Sequence, residues 1–238
     1  MIHLPAPCAR GATLRLFETL GPRGVRWVER LEGPADPDPA TLVCAEGLAP
    51  SELDRAIAAV RPAPGARLLV LSRVGVHRDA RSPALRALWD LEERARGSGL
   101  PVLTLRLAPL LGPASPLWLE LATRPRLPHG GCQLLNPVCE SDAVDTIELA
   151  LAGRARWEGW YEVAGPEVMS LAELAALASE WPEDPAAGAA AAWEPPLDQI
   201  AEMRLCEAGP WLEHFDLTPR PLAEAAASWF ATALGGMS

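Results

Sequence analysis

Apolar residues fall along this chain in two alternating textures, short unbroken runs between turn residues and longer stretches with helical spacing. Residues 2–4 are a short apolar start. Residues 9–20 then carry Leu14, Leu16, Phe17 and Leu20 at helical spacing until Gly21-Pro22 ends the pattern. Residues 25–28 and 41–45 read as strands, with a Pro/Asp/Gly loop between them at 32–39. Residues 50–60 read as a helix with Ser51 as N-cap. The stretch 67–72 (RLLVLS) is the clearest buried strand. Residues 83–96 form the next helix, stopped by Gly97 and Gly99, and 101–107 (PVLTLRL) another strand. A helix over 142–152 with Asp142 as N-cap, a strand over 160–164 and a helix over 170–180 follow. The last opens on a Ser-x-x-Glu capping box, Ser170 and Glu173.

Strands alternating with helices imply βαβ units and a mostly parallel sheet of about six strands. The fold expected is α/β: a Rossmann-like, doubly wound parallel sheet with a small C-terminal lobe. The texture changes after Trp181. Residues 182–196 are rich in Ala, Pro, Gly and acid, and an amphipathic helix over 222–234 carries Trp229 and Phe230 on its apolar side. The division expected is a Rossmann-like domain over 1–180, with 113–138 an excursion to the small lobe, and that lobe over 181–238.

Composition narrows the chemistry. The 238 residues are 49% hydrophobic, enough to build a core. No apolar run reaches membrane-spanning length, and residues 1–5 lack a signal-peptide pattern, so a cytoplasmic protein is expected. A net charge of −10 disfavours nucleic acid as a partner. Five dispersed cysteines read as reduced thiols, and no Cys/His cluster has metal-ligand spacing, so no metal is expected. All 21 basic residues are arginine. Lysine Schiff bases, P-loop lysines and Tyr-Lys redox pairs are therefore excluded outright.

Over residues 65–180 and 215–232 the order and spacing of several motifs resemble the extended or atypical short-chain dehydrogenase/reductases, of the NAD-dependent epimerase/dehydratase kind. LLVLSRVGVHRD resembles that family's fifth strand and following loop. Ser72 falls on a substrate-binding serine, and His77 falls where a tyrosine is common. LEERARGSGLPVLTLRLAPLLGP resembles its next helix and strand, with Arg106 and Gly112-Pro113 matching well. NPVCESDAVDTIELAL, WYEVAGPEVMSLAELAALA and FDLTPRPLAEAAASWF resemble later segments.

The departures fall on functional positions. The family's first turn spaces its glycines G-x-x-G-x-x-G, and the aligned residues are Pro5, Cys8 and Gly11. Only the glycine that lets helix pack on strand is kept, and Pro5 and Pro7 offer no N–H to a phosphate. The helix over 83–96 holds neither residue of the family's Tyr-x-x-x-Lys pair. In the resembled mechanism that tyrosine moves the proton, while the lysine lowers its pKa and holds the ribose. Residues 29–41 leave little room for a crossover helix and third strand, so the nucleotide-binding half reads as abridged.

Each candidate carries two readings. Ser72 either positions a substrate oxygen or caps local backbone. His77 is a general acid–base or an exposed loop residue beside Arg78 and Asp79. Cys8, with Gly11, stands where a phosphate would approach, or is a small buried residue replacing glycine. Arg106 meets an anion or sits in an ion pair. The nine tryptophans form a partner surface or share the core with only three phenylalanines, and Trp89 would fill the space a nicotinamide needs.

NAD or NADP is thus a weak ligand at most and not required. A small molecule, a nucleotide or a protein partner remains open. The reading preferred is a binding, regulatory or accessory subunit without Tyr-Lys chemistry. An active oxidoreductase or epimerase with non-standard catalytic residues is the alternative, and a non-redox enzyme using Ser72, His77 or Cys8 comes last.

Overall fold

A computed structural model describes residues 2–5, 11–23, 27–28, 40–113, 115–123, 125–180, 200 and 203–235. The elements in chain order begin β1 (Ile2–His3), α1 (Gly11–Leu20), β2 (Trp27–Val28), β3 (Thr41–Cys44), α2 (Pro50–Val60), β4 (Arg67–Arg73), α3 (Pro83–Arg96), β5 (Val102–Leu107) and β6 (Leu110–Leu111). They continue with α4 (Pro116–Ala122), β7 (Leu134–Leu135), β8 (Val138–Cys139), α5 (Glu140–Leu149), β9 (Trp160–Val163), β10 (Met169–Ser170), α6 (Leu171–Ala178), α7 (Gly209–Phe215) and α8 (Leu222–Gly235). The fold is α/β around a parallel sheet, as the strand–helix alternation requires. The predicted loop at 32–39 and connector at 182–196 lie outside the described residues.

The chain divides into two compact units, Met1–Arg106 with Thr146–Tyr161, and Leu107–Asp145 with Glu162–Ser238. The divisions thus fall near residues 107, 146 and 162, whereas the sequence reading sets a domain over 1–180, with 113–138 an excursion to the small lobe, against a lobe over 181–238. The reason is that α4, β7, β8 and α6 bury their apolar residues in one core with residues 200–226.

The first unit is organised by the six-stranded sheet, in the order β2-β1-β3-β4-β5-β9. β1 pairs in parallel with both β2 and β3, and β3 in parallel with β4. β3 and β4 are almost entirely buried, which suits strands covered on both faces. α3 turns Leu85, Leu88, Leu91 and Ala95 inward, each buried leucine contributing about 1.5–3 kcal/mol. α2 buries Leu53, Ala56, Ile57 and Val60. Its N-cap is Ala49 rather than the predicted Ser51. Pro50 needs no N–H partner at the first helical position, and Glu52 accepts the Ala49 N–H at 2.9 Å.

The second unit packs around Trp118, which is fully buried and meets Trp229 edge-on at 5.3 Å. Ser115 caps α4 by accepting the Trp118 N–H, and the predicted Ser170–Glu173 capping box starts α6. Side chains tether the later segments. Glu162 pairs with Arg204 and accepts the Glu207 N–H, while the Asn136 amide both donates to and accepts from the Cys206 backbone. Asp142 is not the N-cap of α5, which begins at Glu140. It is buried and accepts the Arg220 N–H at 2.9 Å. A side chain at Gly165 would strike the Pro137 carbonyl, so this close approach admits only glycine.

Burial, with the Asp142 charge second, pushes the Cys139 thiol up to about 12, and burial with Glu162 raises Cys206 to about 12. Cys132 is exposed. At pH near 8, peptide-resolved alkylation of the native protein should label exposed Cys132 much faster than Cys139 or Cys206, whose burial withholds both access and the thiolate form. Equal rates would show that this burial is not kept in solution.

Candidate functional site

In an open parallel sheet, ligands bind outside the carboxyl ends of the strands, where the strand order reverses. Here the order reverses at β1, which lies between β2 and β3. The carboxyl edge carries Leu4-Pro5 after β1, Ala45-Glu46 after β3, and Ser72-Arg73 ending β4.

Two charges meet there. An Arg73 guanidinium nitrogen lies 2.6 Å from Glu46 Oε2, with the side chains 10% and 26% exposed. The contact is ionic rather than a directed hydrogen bond, since Oε2 is sealed from solvent and accepts none among the described residues. Ser72 is buried, and its Oγ also has no hydrogen-bond partner among the described residues, so it caps no local backbone there. The chain then turns at Gly75, whose φ of +88° favours glycine. His77 follows, exposed, with Nδ1 accepting the Asp79 N–H at 3.1 Å. Its ring lies 5.9 Å from that of the half-buried Trp89, tilted by 47°. Sequence neighbours and α3 are thus brought together at the mouth of this loop.

Arg106 is engaged elsewhere in the same unit. Its Nε and one terminal nitrogen reach the two Glu92 oxygens at 3.0 and 2.6 Å, with Glu92 fully buried and Arg106 9% exposed. The guanidinium also lies 4.4 Å from the centre of the Trp160 ring. The fork geometry is the strong form of this pairing.

No protein-family model matches the chain, and no curated protein matches it. Solved structures do. MoeE5, in complex with UDP-glucose and NAD, superposes with a TM-score of 0.68 at 18% identity, covering 100% of this chain and 99% of that one. TunA, an NAD-dependent NDP-hexosamine 5,6-dehydratase involved in tunicamycin biosynthesis, gives 0.66 at 16%, covering 97% of each. The UDP-glucose 4-epimerase of Thermotoga maritima gives 0.63 at 14%, covering 98% of this chain and 100% of that one. This chain has the fold of the NAD-dependent epimerases and dehydratases.

Of the three residues aligned with the glycines of the family's first turn, Pro5 and Gly11 are described. Pro5, at the end of β1, has no N–H to give a phosphate. Glu46 places a carboxylate at the end of β3, beside the strand where the order reverses. α1 begins at Gly11 and still offers its helix dipole. Cys8 and Pro7 lie outside the described residues. Among the described residues no cluster of His, Cys, Asp and Glu could hold a metal ion, and no helix is long and apolar enough to cross a membrane.

The Glu46–Arg73 pair is the feature of this edge that sequence reading missed. Its signal was present: an acid two residues after the buried run TLVC and an arginine directly after RLLVLS. Charges at the ends of strands buried on both faces must be paired or face a ligand.

Proposed function

We propose that this protein serves by binding. It is a cytoplasmic, regulatory or accessory member of the epimerase/dehydratase fold, without Tyr-Lys redox chemistry, that takes a small-molecule or nucleotide ligand at the carboxyl edge of its sheet. The observation that carries this is the buried face of α3, made of Leu85, Leu88, Leu91, Glu92 and Ala95. Neither a phenol nor an ammonium group lies on that helix. Arg106 cannot replace the lysine, because arginine stays protonated, is shaped differently, and here is held by Glu92. Ser72 is the proposed polar contact to the ligand, and His77 with Trp89 a face for its planar part. NAD or NADP, if bound, is held weakly and is not required.

Incubation with NAD or NADP and a panel of nucleotide sugars tests this through the absorbance of the reduced nicotinamide and through product analysis. No hydride transfer is expected, since loss of general acid–base help alone costs about 10²–10⁴-fold. Turnover on the order of 1–10³ per second would sink the proposal.

A further inference from the structure

We infer that Arg67 and Trp157 form an oxyanion site at the amino end of the sheet, at the opposite ends of the strands from the ligand edge proposed above and independent of that reading. The ligand is a small phosphate or carboxylate, met by the edge of the Arg67 guanidinium that carries Nη1.

Arg67 opens β4 and is paired in register with Thr41, which opens β3, while the Trp157 carbonyl accepts the N–H of Val102 at the start of β5. All four residues belong to the first unit. Arg67, Arg73 and Arg106 are the arginines with described side chains that are not exposed. Arg73 and Arg106 each face a carboxylate, Glu46 and Glu92. Arg67 faces none among the described residues, although the chain has 31 acids to 21 arginines. Its partners are uncharged. Nε donates to Thr41 Oγ1 at 2.9 Å and Nη2 to the Leu151 carbonyl at 3.3 Å, and the guanidinium carbon lies 3.9 Å from the centre of the Trp157 ring. Burial pulls the Arg67 pKa below its usual range, as expected of a cation without a full counter-charge.

These contacts fix the plane of the guanidinium and leave most of its charge unmet. Leu151 lies in the turn that continues α5, and a helix end offers only about half an elementary charge. The contacts also occupy the Nε–Nη2 edge alone. Nη1 donates to nothing among the described residues. The Trp157 Nε1–H is closed to solvent and has no acceptor among them either, so donors outnumber acceptors in this corner. Guanidinium groups favour oxyanions met through two oxygens. One bound to Nη1 and the outer hydrogen of Nη2 supplies the acceptors and the counter-charge together. The indole keeps water from one face of the guanidinium, which strengthens its attraction for an anion at the open edge.

The test is a thermal-shift titration with inorganic phosphate and, separately, malonate, at ionic strength held constant with chloride. The proteins are the wild type, Arg67→Gln, Arg67→Lys and Arg154→Gln, the last an exposed arginine in the same turn as Leu151. Saturable stabilisation of the wild type is expected with at least one anion. Arg67→Lys keeps a cation but loses the two-donor edge, so its Kd should rise about ten-fold or more. Arg67→Gln should show no saturable shift, and Arg154→Gln should match the wild type. If Arg67→Gln does not fold, the Arg67→Lys comparison decides. The anion giving the tighter Kd assigns the ligand as phosphate or carboxylate. No saturable shift in the wild type, an unchanged Kd in Arg67→Lys, or an equal loss in Arg154→Gln would each overturn the inference. Hydride transfer would overturn the binding role and leave this result readable, because the titration contains no nicotinamide.

Discussion

Arg106→Leu is expected to destabilise the protein by about 3–5 kcal/mol, because it leaves an unpaired carboxylate in the interior. Glu92 has no exposed surface, so water cannot solvate it when the guanidinium is gone. For a chain of this size that is a fall in Tm of roughly 6–20 °C. Glu92→Leu should cost a similar amount from the other side. The double variant Glu92→Leu/Arg106→Leu should recover most of the loss, since removing both charges from a buried site is often neutral or stabilising by about 1–4 kcal/mol. Urea denaturation of the four proteins gives the cycle. If Arg106→Leu cost under about 1 kcal/mol, the pair would not be sealed as described, and Arg106 would return as a candidate for an anionic ligand. The sign of the coupling separates a structural arginine from a functional one.

The legible parts of this fold were those with local chemistry. The limits of α3 follow from Pro83 at its start and Gly97 at its end, and α6 from its capping box. α2 has the expected limits, but its N-cap is Ala49 and not Ser51, because Pro50 takes the first helical position. The short helices α4 and α7 went unassigned, since seven residues between turn signals give too few periods to read. Asp142 looked like a cap because its sequence neighbours begin a helix. Its partner, the Arg220 N–H, lies 78 residues away and leaves no local trace. The same holds for the division into units. Apolar spacing says that a face of α4 or α6 is buried, and not that the burial is against residues 200–226. At the candidate site, Ser72 and His77 could be named because LLVLSRVGVHRD resembles the fifth strand and following loop of the epimerase/dehydratase family. Their surroundings could not, because the Glu46–Arg73 contact joins two strands and the His77–Trp89 contact a loop and a helix.

Restoring the nucleotide cradle should restore dinucleotide affinity. In Pro5→Gly/Cys8→Gly the first turn regains the spacing G-x-x-G-x-x-G with Gly11. Adding Glu46→Gln removes the carboxylate from the end of β3. Each charge-assisted hydrogen bond regained by the pyrophosphate is worth roughly 1.5–3 kcal/mol. Two of them should tighten NAD binding by very roughly 10²–10⁴-fold, read by calorimetry against the unmodified protein. The helix dipole of α1 is already in place to receive the phosphates. If the triple variant gains nothing, the first turn is not what limits binding, and the half-buried Trp89 ring becomes the obstacle. Adding Trp89→Ala should then open the cleft, and a gain only at that step would locate the block beside the His77 loop. Micromolar NAD binding by the unmodified protein would contradict the reading of Pro5 and Cys8 itself. It would show that backbone outside those positions already cradles the pyrophosphate, and would move the protein toward a dinucleotide sensor or an active enzyme.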